Sequence, residues 1–177
     1  FLEENLKPER FATHEWKLLE FNINQNPIEC RSILFEEDAN IHAFSVYIWT
    51  LEFIDKLLDY LKKTRPNAKY IAGGPEVQYD VANEYKRQTA WDYVMQGDGE
   101  LEFLNLFNRD VDHVLAKKGK ENLTTVGVQA PLRLPPEFLP FYYPKIEDRL
   151  ANKIVHYESS RGCPYRCSYC VSSVEGN

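Results

Sequence analysis

From residue 16 to residue 119, short β-prone apolar runs alternate with amphipathic stretches, and this alternation limits the fold more than any other feature. Residues 16–21 read as one strand, 41–48 as a second, 69–72 as a third and 92–96 as a fourth. Helical patterns lie between them. Asn26 followed by Pro27 is a start signal, because the Asn side chain can accept a first-turn N–H and proline is preset for the first turn. Cys30, Ile33 and Leu34 share one face of that helix, so Cys30 is expected in the core, where a thiol packs as a small hydrophobe. In a helix over 51–64, Ile54, Leu57, Leu58 and Leu61 recur at i, i+3, i+4 and i+7, the spacing of one helical face, and Pro66-Asn67 breaks it. A further helix is expected over 81–88. After the fourth strand, Leu104, Phe107, Val111 and Val114 form the apolar face of a last helix, which Lys117-Lys118-Gly119 ends. Residues 1–6 suit the end of another helix, closed near Pro8.

Strands alternating with helices at such short intervals pack as an α/β fold, a doubly wound parallel sheet. It would occupy residues 1–119. Ligands of such sheets sit beyond the carboxyl ends of the strands. Two glycine turns fall there, Gly73-Gly74-Pro75 with Glu76 after it, and Gly97-Asp98-Gly99-Glu100. Glycine lets backbone approach a ligand closely, but it also serves tight strand-to-helix turns. Each loop alone carries both readings.

At residue 120 the pattern changes. Pro131, Pro135, Pro136, Pro140 and Pro144 exclude a helix or central strand, so residues 120–152 read as a linker. Phe138, Leu139, Phe141, Tyr142 and Tyr143 are too apolar to stay wet, so the linker is expected to be ordered, with a short helix over 145–152. Residues 153–177 begin a further domain, in which a strand over 154–159 leads into Arg161-Gly162-Cys163-Pro164-Tyr165-Arg166-Cys167-Ser168-Tyr169-Cys170.

Three of the four cysteines lie in that loop, spaced CxxxCxxC. Thiolate is the soft ligand that iron–sulfur clusters and zinc select. Three thiolates leave one metal position open, the mark of a catalytic site. Zinc would want a fourth ligand, and the nearest, His156, stands seven residues before Cys163, unlike the short zinc pairs. A disulfide with a spare thiol needs an oxidising compartment. Arg166 reads as a solvated or cluster-screening charge, His156 as a packed residue and His14 as a surface one.

The net charge of −6 is spread through the chain, so no basic footprint for nucleic acid stands out. No apolar run is long enough to span a membrane, and there is no charged-then-apolar leader. Clustered cysteines without such a leader suit a reducing cytoplasm.

The spacing and flanks of Cys163, Cys167 and Cys170 resemble those of the radical S-adenosylmethionine (radical SAM) enzymes. The resemblance implies that the three cysteines hold a 4Fe–4S cluster whose fourth iron chelates SAM. Reduction then cleaves SAM to a 5′-deoxyadenosyl radical that abstracts hydrogen from a substrate. Tyr169, just before the third cysteine, falls where that family places an aromatic residue beside the adenine. Gly73-Gly74-Pro75 and Gly97-Asp98-Gly99-Glu100-Leu101-Glu102-Phe103, in this order, resemble the cobalamin-binding domain found ahead of the radical SAM core in one large group of these enzymes. The likeness extends over residues 14–177. It implies a Rossmann-like cobalamin-binding domain lacking its first strand, followed by the start of a partial β/α (TIM-like) barrel. Gly73, Gly74, Pro75, Gly97, Asp98, Gly99 and Glu100 would border cobalamin. With cobalamin, the implied reaction is methyl transfer to an unactivated carbon or phosphorus; without it, a radical rearrangement, oxidation or ring closure is equally open.

Two departures stand against the family pattern. The Asp-x-His-x-x-Gly motif that ligates cobalt is absent, and His14, His42, His113 and His156 lack its context. No strand precedes residue 14, where the group has its central one. The partners implied are a small-molecule or peptide substrate and an electron donor such as flavodoxin or ferredoxin. Other readings stay open: a zinc-binding protein-interaction module, or a fragment with no activity of its own. The chain begins on Phe1 and stops seven residues after Cys170, which reads as a piece of a longer enzyme.

Overall fold

Asn26 opens helix α1 (Pro27–Glu36) as the sequence predicts: its Oδ1 accepts the Ile28 N–H at 3.0 Å, and Pro27 takes the first turn. The computed structural model describes residues 14–96, 99–108, 165 and 167–169. Two compact units divide the chain, Phe1–Pro140 and Phe141–Asn177. In the first, α1 is followed by β1 (Ile41–Ser45), α2 (Leu51–Thr64), β2 (Lys69–Gly73), α3 (Val81–Arg87), β3 (Tyr93–Val94) and α4 (Gly99–Asn108).

The strands form a parallel sheet in the order β1-β2-β3, with Ile41 opposite Lys69 and Ile71 opposite Tyr93. Helices carry the chain back between them, as parallel strands require. The sheet is Rossmann-like α/β, as expected. Each face meets its own core. Tyr70, Ala72 and Val94 join Cys30 and Leu34 of α1 and the Ile54, Leu57, Leu58, Leu61 stripe of α2. Each fully buried leucine contributes about 1.5–3 kcal/mol, so this stripe outweighs the modest helix propensities of α2. On the other face, Ile71, Tyr93 and Met95 pack against Leu104, Leu106 and Phe107 of α4.

Several expectations need correction. Residues 16–21 form no strand. Trp16 packs with the α4 core while Leu19 and Phe21 pack with the α1–α2 core, and Leu18 is 77% exposed. Their apolar pattern therefore serves two separate cores and no ladder. Ile33 lies outward from the Cys30–Leu34 face, because it stands about 100° around the helix from Leu34. The second expected strand ends at Ser45, short of residue 48. The fourth is reduced to Tyr93–Val94, although Asp92 and Met95 still donate to the Tyr70 and Ala72 carbonyls at 2.8 Å. His14 is not a lone surface residue: its ring lies 5.6 Å from those of Trp16 and Phe107.

Val111, Val114, the helix end at Lys117-Lys118-Gly119, the proline-rich segment and the strand expected over 154–159 lie outside the described residues. Among the described residues no helix is long and apolar enough to cross a membrane.

Candidate functional site at the carboxyl edge of the sheet

Backbone geometry at the carboxyl ends of β1 and β2 is set by one glycine. Gly74 has φ +108°, a conformation that side-chain-bearing residues rarely adopt. It also lies against the chain leaving β1: the Val46 N–H donates to the Gly73 carbonyl at 2.7 Å, and the Glu76 N–H donates to the Val46 carbonyl at 3.3 Å. The Gly-Gly-Pro turn thus clamps the exit of β1 to the exit of β2. Gly73 is less constrained, since an added Cβ would meet only the flexible Met95 thioether, at 3.3 Å.

Beyond Val46 the chain turns sharply into α2. Tyr47 and Trp49 stack with their rings 14° from parallel and their centroids 5.0 Å apart. Ile48 and Trp49 are 70% and 65% exposed, an unusual outlay of large apolar surface on one short loop. Residues 47 and 48, expected in the strand over 41–48, belong instead to this loop. Its signal was the pair of aromatic residues flanking Ile48, just before the helix stripe.

At the end of β3, the Gln96 Oε1 is buried with no hydrogen-bond partner among the described residues. Gly97 and Asp98 lie outside the described residues. Gly99 opens α4, and an added Cβ there would meet no described atom within 4 Å. Glu100 lies in the first turn of α4. One edge therefore gathers Gly73, Gly74 and Pro75 from β2, the Tyr47–Trp49 stack from β1 and Gln96 with Gly99 from β3.

The B12 binding domain family matches residues 9–107, which span this sheet and its carboxyl edge. The chain belongs to the B12-binding domain family. Among relatives of this B12-binding domain is the cobalamin-dependent radical SAM methyltransferase TokK of Streptomyces tokunonensis, 26% identical over 149 residues, covering 75% of this chain and 22% of that protein. The 2-(S-pantetheinyl)-carbapenam-3-carboxylate methyltransferase of Streptantibioticus cattleyicolor is 27% identical over 149 residues, again 75% of this chain and 22% of that one. An uncharacterized protein of Methanocaldococcus jannaschii is 31% identical over 121 residues, 66% of this chain and 26% of that protein. The chain spans 22–26% of the length of these relatives. No solved structure matches.

The family's ligand suits the edge. Cobalamin has a flat corrin ring with largely apolar faces and a periphery of amide side chains. The exposed Tyr47–Trp49 stack offers a flat apolar surface, and the Gln96 Oε1, without a partner among the described residues, offers an acceptor to an amide N–H.

The histidines and cysteines divide by environment. His42 is buried between Phe44 and Tyr70, the Tyr70 ring 5.5 Å away and 8° from parallel. It sits within the core, away from the carboxyl edge. Cys30 is buried as expected, and that burial pushes its thiol above the ordinary range, with Glu29 adding to the effect. Among the cluster-loop residues, Cys167 is half-buried while Tyr165 and Tyr169 are exposed, Tyr169 to 90%. Cys163 and Cys170 lie outside the described residues. Among the described residues, no three His, Cys, Asp or Glu side chains come together as a metal site.

Proposed function

We propose that this B12-binding domain holds cobalamin at the carboxyl edge of its sheet and serves a radical SAM methyltransferase. In that enzyme Cys163, Cys167 and Cys170 hold a 4Fe–4S cluster, and Tyr169 lies beside the adenine of SAM. The observation that carries the reading is the coincidence of the family match over residues 9–107 with an edge bearing an exposed aromatic stack. The CxxxCxxC spacing and the likeness to the radical SAM methyltransferase TokK support the radical SAM half, and the likeness to the carbapenam-3-carboxylate methyltransferase supports methyl transfer.

Each residue has a task in this reading. Gly74 keeps the exits of β1 and β2 in contact, so the platform and the Gly-Gly-Pro turn stay in one register. Tyr47 and Trp49 support the corrin face and exclude water from it. Gln96 accepts from a peripheral amide, and Gly99 leaves room for ligand beside α4. The three thiolates hold iron while leaving one position open to SAM. When bound, the cluster supplies the electron for homolytic SAM cleavage, and cobalamin supplies a cobalt centre able to carry a methyl group. An electron donor such as flavodoxin or ferredoxin and a small-molecule or peptide substrate complete the system.

Anaerobic reconstitution with iron and sulfide, followed by EPR after reduction with and without SAM, tests the radical SAM half. A 4Fe–4S signal that shifts on adding SAM is expected. Cys163→Ala, Cys167→Ala and Cys170→Ala should each abolish it. Zinc co-purifying in place of a cluster would sink this half and leave a metal-binding interaction module.

A further inference from the structure

Thr50 stands at the cap position of α2, yet its side chain caps nothing in the helix. Threonine at that position ordinarily accepts from a first-turn N–H. Here the hydroxyl turns back to Tyr47 instead. Thr50 Oγ1 accepts the Tyr47 N–H at 2.9 Å and donates to the Tyr47 carbonyl at 3.0 Å. The Thr50 N–H reaches the same carbonyl at 2.8 Å. Both main-chain polar groups of Tyr47 are thereby satisfied within the loop, which ends the β1 strand and sets Tyr47 alongside Trp49.

We propose that Thr50 is the positioning residue of the corrin platform. Its hydroxyl fixes the four-residue turn that stacks Tyr47 on Trp49 and presents both rings at the carboxyl edge. This inference rests on the reading that cobalamin binds there. Without the hydroxyl, the Tyr47 N–H would turn to water and its carbonyl would keep only the Thr50 N–H, so the turn would loosen and the rings would separate. The helix would lose no cap, because Thr50 provides none.

The test compares the 177-residue chain with Thr50→Val, which keeps the shape, and Thr50→Ser, which keeps the hydroxyl. Near-UV circular dichroism reads the ring stack. Equilibrium titration with hydroxocobalamin and with dicyanocobinamide, which lacks the nucleotide, reads binding at the ring. Thr50→Val should lose near-UV ellipticity and bind both probes about tenfold more weakly, with its far-UV spectrum and melting temperature nearly unchanged. Thr50→Ser should restore all three readings. If Thr50→Val binds both probes like the unaltered chain, or Thr50→Ser fails to rescue, Thr50 does not position the platform. Loss of the far-UV spectrum in Thr50→Val would assign the residue to the fold and overturn the proposal equally. Failure of the unaltered chain to bind hydroxocobalamin would overturn the cobalamin reading and this inference together.

Discussion

A Cβ placed on Gly74 would fall 2.6 Å from the carbonyl oxygen of Val46 and 2.9 Å from its nitrogen. Both contacts are with backbone, which cannot swing aside as a side-chain tip can. Gly74→Ala should therefore cost about 3 kcal/mol, from the clash and the left-handed φ together. Gly73→Ala meets only the Met95 thioether, a flexible neighbour, and should cost less than about 1 kcal/mol. Urea unfolding of the two variants checks the contrast. Equal losses would mean that the two strand exits are not clamped at Gly74.

Glu84 is the buried acid of α3, and it ties three elements together. Its Oε1 accepts the Trp91 indole N–H at 2.7 Å, and its two oxygens take Arg87 Nη2 at 2.7 Å and Nε at 2.8 Å. Arg87 in turn reaches Asp55 on α2. Removing the acid leaves a buried indole N–H without its acceptor and leaves Arg87 with Asp55 alone of its two carboxylate partners. Glu84→Ala should lose about 3 kcal/mol by chemical denaturation and move the tryptophan emission maximum. Arg87→Met, whose partner charge keeps the Trp91 bond, should lose less.

His42 gives the domain a pH dependence with a definite sign. Burial, and then the positive charge of Arg65, push its pKa below the ordinary value of 6.5, while a hydrogen bond to the Ala39 backbone acts the other way. Nε2 has no partner among the described residues. Below the unfolded value, the unfolded chain holds a proton that the folded chain resists. Stability from neutral His42 is thus full above about pH 6.5 and is lost as the pH falls through the lower folded value. Melting temperature should drop as the pH falls below about 6.5, and His42→Phe should flatten that drop. Identical slopes in the two proteins would contradict the assignment.

The parts of this fold that could be read from the chain were those with redundant signals. Helix α2 runs from Leu51 to Thr64 as its stripe indicated, because four apolar residues at helical spacing and a following Pro66 agree. Asn26 and Pro27 marked the start of α1 for a similar reason. Residues 46–50 were illegible because valine, tyrosine and isoleucine look the same whether they extend a strand or line an exposed turn. What ends β1 is a hydroxyl three residues downstream of Tyr47, a tertiary detail without periodicity. Residues 16–21 misled in the same way, since their apolar side chains divide between two cores. In the candidate site, Gly74 was visible as a glycine, but its contact with Val46 depends on two strands meeting. The reading of the cysteine loop rests on its spacing alone, since Cys163 and Cys170 lie outside the described residues.

Equilibrium dialysis of hydroxocobalamin against the unaltered chain and Trp49→Ala addresses the central claim most directly. Trp49 is 65% exposed, so its removal should leave the fold intact. Expected is one equivalent bound by the unaltered chain and binding about tenfold weaker in the variant, the loss of one stacking face. No retained cobalamin, or equal retention by both proteins, would contradict a cobalamin site at the carboxyl edge built on the Tyr47–Trp49 stack.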